Sequence, residues 1–530
     1  MKKHNIFKLI ITAGIVVGSF ASCTKKLDLL PTNDVTAAQV YSTSAGYKEA
    51  FAKVYGSFAL TGNQGPAGNG DIQGIDEGTS DFLRLFWKAQ ELSTDEAVVS
   101  WGDPGIQDFH MMNWSATNPM LTGLYYRSAY QITLCNDFIN QASDANLASR
   151  GITGTSADSI RQYRAEARFL RAYQYWVLMD LFGNPPFATE KDVVGSFLPK
   201  QIKRADLFTY IESELKAIDG SLAAPRKNEY GRADQAAEWA LLARMYLNAE
   251  VYTGTARWTD AVTYSKKVID AGYSLIPDYT QLMLADDNLN TSEFILTINY
   301  DGLKTQGYGG TTFLMHAPVG GSMSASNYGI DGGWAGLRTT KNLPALFPDV
   351  TGTADKRAQF YTSGQNLEIN DLTQFTDGYA ITKYRNLTRG GKAGSSLTFS
   401  DIDFPIFRLA EQYLIYAEAT LRGGTGGDAN LALTYINNLR ARAYGNTSGN
   451  ISASQLTTDF ILDERARELY WEGFRRTDLI RYGKFVEGTY LWPWKGGVKG
   501  GTSVSSYRKL YPLPSSDISS NVNLTQNPGY

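Results

Sequence analysis

Cysteine is nearly absent from this chain: its 530 residues contain 2, at positions 23 and 135. Because Cys23 lies in an N-terminal segment with the features of a leader, no pair is left for a structural disulfide. Histidine is almost as scarce, and beyond His4 only His110 and His316 remain. With no G-x-S-x-G elbow, no H-E-x-x-H helix and no Walker loop, the parts of hydrolase triads, zinc peptidases and P-loop enzymes are missing. The 53 acidic residues would offer carboxylate pairs in any fold, so they decide nothing about a glycosidase. An excess of positive charge is lacking too: the net charge of -3 gives no basic footprint for nucleic acid. No apolar run approaches the roughly 18 residues that a transmembrane helix requires.

A hydrophobic content of 43% with 19% charged residues belongs to a globular chain with ample core. The counts of 51 Gly, 32 Tyr and 10 Trp point to long ordered loops and a surface rich in flat rings. At the N-terminus, Lys2, Lys3 and Lys8 precede an apolar core from Leu9 to Val17, the pattern of a signal peptide. The stretch FASC, with Ala21 and Ser22 directly before Cys23, resembles the lipobox of bacterial lipoproteins. We therefore expect residues 1–22 to be a lipoprotein signal and Cys23 to carry the lipid, with an ordinary secretory signal as the alternative. Each buried acyl methylene contributes about 0.8 kcal/mol, so several chains on one residue tether a domain to a membrane without spanning it. Cys135, in AYQITLCNDFIN, reads as a small buried residue.

Helices recur in pairs. From Asp158 to Phe182, the residues Phe169, Ala172, Trp176 and Met179 share a helical face, and Gly183, Pro185 and Pro186 end the segment. A second helix is expected from about Ala205 to Asp219. In EWALLARMYLNA, the residues Trp239, Leu242, Ala243 and Tyr246 fit the first half of a tetratricopeptide repeat. Ala261, Ser265 and Val268 echo its second half, so the repeat is degenerate. PIFRLAEQYLIYAEATLRGG and DANLALTYINNLRARAYG form a further expected pair, with Ala432, Ile436 and Leu439 on the packing face. One long helical run is expected from about Gln455 to Phe485. Between Asp278 and Ser400 the chain turns glycine-rich and aromatic, and a loop region of that length on a rigid scaffold is where binding residues usually sit.

The stretches AEARFLRAYQYWVLMDLFGNPPF, GRADQAAEWALLARMYLNA, RLAEQYLIYAEA, RARELYWEGFRRTDLIRYGKF and the terminal YPLPSSDISSNVNLTQNPGY carry a resemblance over essentially the whole mature length. The chain is identified by them as a member of the SusD/RagB family of surface lipoproteins that capture nutrients for an outer-membrane transporter. The resemblance implies a mostly α fold: a single domain from 23 to 530 with a tetratricopeptide-like scaffold over about 40–275 and 400–485. It also implies minor β structure and ligand-binding loops over about 60–115 and 278–400. Its partner would be a TonB-dependent barrel and its location the outside of the outer membrane. In RELYWEGFRRTDLIR, the charges Glu468, Glu472, Arg475, Arg476, Asp478 and Arg481 are expected to fasten the helical core rather than touch ligand.

The segments DEGTSDFLR, ELSTDEAVVSW, DGLKTQGYGG and GGWAGLR resemble the starch-binding members of the family, in which such loops form an aromatic arc around an α-glucan. Carried over, the arc is Trp101, Tyr308 and Trp334, with Asp76 and Arg84 gripping hydroxyls. Sugar rings have apolar C–H faces and polar edges, so this division of labour suits them. An asparagine of that pattern is replaced here by Pro104, with Asp103 the residue able to supply its hydrogen bonds. Exposure is expected for Tyr308 and Trp334, while Trp101 is equally compatible with the core. No cofactor is required. Asp287, Asp401 and Asp403 offer hard oxygen ligands for a structural calcium ion, with capping of a helix by Asp403 as the simpler account. A hydrolase is the alternative to a binder, and a protein-contact adaptor is a third class.

Overall fold

The computed structural model describes residues 36–67, 69–192 and 198–530, so the leader and Cys23 lie outside the described residues. The principal helices are α1 (Ser44–Gly56), α2 (Phe82–Glu91), α3 (Pro119–Gln141), α4 (Gly154–Leu181), α5 (Arg204–Ile218), α6 (Gln235–Leu247) and α7 (Trp258–Asp270). After the loop region come α8 (Gly310–His316), α9 (Leu409–Leu421), α10 (Ala429–Tyr444), α11 (Thr458–Leu469) and α12 (Arg475–Arg481). Short strands β1 (Val98–Val99), β2 (Phe294–Ile298), β3 (Leu337–Arg338), β4 (Phe360–Tyr361), β5 (Ala380–Ile381) and β6 (Phe404–Arg408) pair antiparallel as β1–β3, β2–β6 and β4–β5.

Sequential helices pack on one another as α3 on α4, α4 on α5, α6 on α7, and α9 on both α7 and α10. The reason lies in the small residues. Ala261, Ser265 and Val268 of α7 are fully buried against α6, where Leu242, Ala243 and Tyr246 are buried as well. The Ser265 hydroxyl donates back to the Ala261 carbonyl at 2.6 Å, which lets a polar residue sit in that contact without an orphaned group. Helix α4 is amphipathic only at its start. From Phe169 to Leu181 all of its residues are buried, so the face expected from Phe169, Ala172, Trp176 and Met179 is one side of a helix enclosed all round.

Two expectations are corrected. PIFR does not open a helix: Phe404–Arg408 is a fully buried strand paired with β2, and the helix begins at Leu409. Nor does one helix run from Gln455 to Phe485, because the chain breaks between α11 and α12. At the break Trp471 has φ 64° and Gly473 φ 83°, conformations outside the right-handed helical region. The freed backbone is recaptured from the side. The Trp471 carbonyl accepts from the Trp87 indole and the Tyr384 hydroxyl, each at 3.0 Å, and Gly473 N–H donates to Glu91 at 2.7 Å.

The charges around that break bind across the molecule. Arg408 of β6 meets Glu293 at 3.0 Å, Glu468 at 2.6 Å and Glu472 at 2.7 Å. Arg442 reaches Glu293 and Glu468, and Arg357 reaches Asp355, Glu464 and Glu468. Arg475 forms a two-pronged pair with Asp95, and Arg481 joins Asp478 to Glu418. The charges do fasten the core, but mostly between elements distant in sequence rather than along one helix. Although burial pushes the Glu468 carboxyl up, the guanidiniums of Arg442, Arg408 and Arg357 together hold it at about 2.

Candidate functional site

Helix α2 organises the loop-rich face. Asp81 caps it, its Oδ1 accepting from Arg84 N–H at 2.8 Å, and the same oxygen accepts from Gly310 N–H at 2.7 Å. One carboxylate therefore fixes the starts of both α2 and α8, with Tyr308 just ahead of α8. Arg84 and Lys88, one turn apart on α2, both lie over the ring of Phe313 on α8, at 4.9 Å and 5.6 Å.

Around this hub the structure brings the three expected aromatics together. The rings of Trp101 and Trp334 have centroids 6.3 Å apart with planes at 48°, and those of Trp334 and Tyr308 are 6.4 Å apart at 54°. Trp334 is the middle member, and the ring on either side is tilted against it. Trp101 donates its indole N–H to the Trp334 carbonyl at 3.0 Å, so its only polar atom is spent on holding the platform. A Cβ on Gly336 would lie 2.3 Å from the Trp101 ring, which explains the glycine there: the indole lies flat on the backbone. Tyr308 is 37% exposed, whereas Trp101 and Trp334 are half-buried.

Exposure of Trp334 was expected from its glycine neighbours, and the structure amends this. Its ring stacks on His316 at 4.8 Å and 10°, and His316 is locked by the carbonyls of Gly332 at 2.5 Å and Thr398 at 3.0 Å. The glycines mark close backbone approach rather than a free-standing ring. Arg84 is also placed differently from the expectation. Only 9% exposed, it lies beneath the rings, 5.9 Å from Trp101 and 6.0 Å from Trp334, and donates to the Tyr308 carbonyl at 2.9 Å. Burial lowers its pKa to about 10, opposed by the charges of Asp76, Asp81 and Asp103, so it stays a cation and braces the platform from behind. Asp76 and Asp103 are exposed beside it, and Asp76 accepts from Thr79 N–H at 2.9 Å.

Phe313, His316 and Phe399 were missed by sequence reasoning. Phe399 lies 5.6 Å from the Tyr308 ring and extends its support. The three-residue spacing of Phe313 and His316 was a signal, but α8 is too short to announce itself as a helix.

Among the described residues no group of three or more His, Cys, Asp or Glu side chains converges as a metal site, so Asp287, Asp401 and Asp403 do not form a triad. Asp401 is drawn away to Gly302 N–H and the Ser395 hydroxyl, each at 2.7 Å. Asp403 precedes a strand and caps no helix; it accepts from the Tyr230 hydroxyl at 2.7 Å and Tyr300 N–H at 2.8 Å. Asp287 and Asp403 do remain together, Asp403 N–H donating to Asp287 Oδ1 at 3.0 Å, while Asp287 Oδ2 is buried without a partner. Burial, then the charge of Asp403, pushes the Asp287 carboxyl well up, and burial raises Asp403 to about 6. One buried orphan oxygen beside a second carboxylate fits a hard cation, though with two protein carboxylates instead of three.

Comparison with known proteins decides the family. The model described as "SusD family" matches residues 350–530, and that described as "Starch-binding associating with outer membrane" matches residues 96–247. Over 579 aligned residues, the whole of both chains, this chain is 37% identical to the starch-binding protein SusD of Bacteroides thetaiotaomicron. The chain belongs to the SusD family. A second relative within it, SusD-like protein P2 of Formosa agariphila, is 27% identical over 77% of this chain and 81% of that one. The SusD fold is shared with solved structures. Surface glycan-binding protein A from Bacteroides fluxus superposes with a TM-score of 0.69 over 92% of this chain and all of that one, at 21% identity. The protein of that description from Bacteroides thetaiotaomicron, in complex with laminarihexaose, gives 0.68 over 91% of this chain and 99% of that one, at 23% identity.

Proposed function

We propose that this SusD-family protein is a cell-surface binding lipoprotein that captures starch and maltooligosaccharides and delivers them to a TonB-dependent outer-membrane transporter. The observation that carries the reading is the run of three tilted rings, Trp101 and Tyr308 standing at 48° and 54° to the plane of Trp334, which we read as a curved platform. A flat β-linked chain touches one such ring well and the next poorly, whereas the helical turn of an α-glucan presents successive C–H faces at changing angles. The identity to a starch-binding relative over full length supports the same ligand class. Asp76 and Asp103, exposed at the margin, would read hydroxyl edges, and Arg84 would set the height of Tyr308 from below.

Binding should be modest, between micromolar and millimolar or roughly -8 to -4 kcal/mol, because the sugar is handed onward. Calorimetry with maltoheptaose, cellohexaose and laminarihexaose tests this: maltoheptaose should bind at least about tenfold tighter than either β-glucan. Equal affinities would overturn the α-glucan assignment. The specific alternative is the same capture role with a β-glucan, favoured by the laminarihexaose complex of a protein that shares the fold. The reading also holds that the protein is no enzyme, and neither His110, which accepts from Val99 N–H in the core, nor His316, held between two carbonyls, is free for histidine-dependent chemistry. Release of reducing sugar above blank from starch would refute that. Attachment through Cys23 is part of the proposal, and Cys23→Ala should leave the outer-membrane pellet. Co-purification from mild detergent should bring the barrel, resting on the broad face of the α3–α7 stack.

A further inference from the structure

Away from the platform, the β4–β5 ribbon borders an open polar pocket of about 240 Å³, whose polar lining comprises Thr280, Thr351, Lys356, Gln359, Thr382 and Arg385. No carboxylate is among the described residues that line it. That is unusual beside the rest of the ribbon. Arg357 is matched by Asp355, Glu464 and Glu468, and Lys383 meets Glu472 at 2.6 Å. Arg385, two residues on from Lys383, has a single side-chain hydrogen bond among the described residues, from Nη2 to the Thr280 carbonyl at 3.1 Å. Its Nε is buried without a partner, as is Gln359 Oε1 in the same lining.

Asp278 acts on it electrostatically but forms no ion pair with it among the described residues. Asp278 already accepts from Thr280 N–H at 3.1 Å and from the Thr280 hydroxyl at 2.9 Å. Burial lowers the Arg385 pKa, with Tyr328, Tyr470 and Asp278 acting weakly in the other direction, but a guanidinium stays charged regardless. Arg385 is half-buried, its Nε fully buried and unpaired, and a second cation, the exposed Lys356, adds to the positive potential at the pocket. At about 240 Å³ the pocket has room for a small ligand only. Half-buried Phe360 supplies one apolar wall.

We propose that this pocket binds a small oxyanion between Arg385 and Lys356, either the carboxylate of a sugar acid or inorganic phosphate. The fork of Arg385 suits two oxygens of one such group, and the Lys356 ammonium can donate to a third. The site is independent of the aromatic platform and of what binds there. Calorimetry on the full chain at low salt, with glucuronate, phosphate and neutral glucose as separate titrants, tests it. At least one anion should bind, and Arg385→Gln and Lys356→Gln should each weaken it by about tenfold or more, the loss of one charge-assisted contact. Maltoheptaose affinity should be unchanged in both variants. Preference for glucuronate over phosphate would identify an acidic sugar as the source, and the reverse order the free ion. Anion binding that is absent in the wild-type protein, or equal in wild type and Lys356→Gln, an exposed substitution that leaves the fold intact, would overturn the assignment.

Discussion

At the junction of β6, α10 and α11, Glu468 is surrounded by three guanidiniums, those of Arg357, Arg408 and Arg442. Beneath the platform, Arg84 is nearly as enclosed yet faces three aromatic rings and a carbonyl instead of a paired carboxylate. The two regions solve burial of charge in opposite ways. Where strands and helices from distant parts of the chain must be locked in register, opposite charges are matched at contact distance, and removal of one partner leaves the others uncompensated. At the half-open rings of the platform, the cation is set against π-faces, which are directional enough to hold it from beneath.

The comparison can be broken most severely at Glu468. Glu468→Ala should cost about 3–5 kcal/mol of unfolding free energy in a denaturant titration, with glucan affinity of the folded protein preserved. A cost below about 1 kcal/mol would mean that the network is not what distinguishes the scaffold. Acid should act on the same point. The Glu468 carboxyl is depressed from 4.5 to about 2, so its contribution is complete above pH 4.5 and is lost as pH falls through 2. The unfolding free energy measured down this range should decline by on the order of 3 kcal/mol, and a flat profile would contradict the pairing.

At the platform the effects should be smaller on stability and larger on ligand. Trp334→Ala removes the central ring and should weaken maltoheptaose binding by about thirtyfold, or roughly 2 kcal/mol, with Tyr308→Ala at about tenfold. Because Trp334 stacks on His316, its loss should also lower stability by about 1 kcal/mol, while Tyr308→Ala should leave the melting temperature near wild type. Unchanged affinity in both variants would place the ligand elsewhere. The smallest effect is expected at Asp287. Asp287→Asn relieves repulsion with Asp403 and should raise stability at pH 7 in chelator by about 1 kcal/mol or less. If the pair holds calcium, added calcium should raise the melting temperature of the wild type and not of this variant. A calcium response that survives the substitution would exclude the pair as the site.

Much of the scaffold was legible because helices declare themselves locally. The small-residue spacing of Ala261, Ser265 and Val268, and the apolar spacing of Ala432, Ile436 and Leu439, are properties of one helix face, and these residues are buried where the pattern put them. The break at Trp471 was not legible, since RELYWEGFRRTDLIR reads well as one helix. Its kink depends on Glu91, Trp87 and Tyr384, residues far away in sequence that satisfy the opened backbone. Of the platform, the three rings were named in advance through resemblance, but their support was not. His316, Phe313 and the position of Arg84 emerge only when α2 and α8 are brought together by Asp81.

By itself, then, the sequence determined composition, helical periodicity, the scarcity of catalytic residue types and the set of aromatics available to a ligand. These follow from residue identity and from spacings of a few positions, over which the backbone carries its own geometry. The tertiary structure alone decided which charges are partners, where the long helix breaks, that Arg84 supports the rings from beneath, and that Arg385 is left without a carboxylate. Each is a matter of which groups meet after loops of many residues have closed. Local propensity has no hold on that choice, because it is made by burial, which penalises every polar group that fails to find a partner.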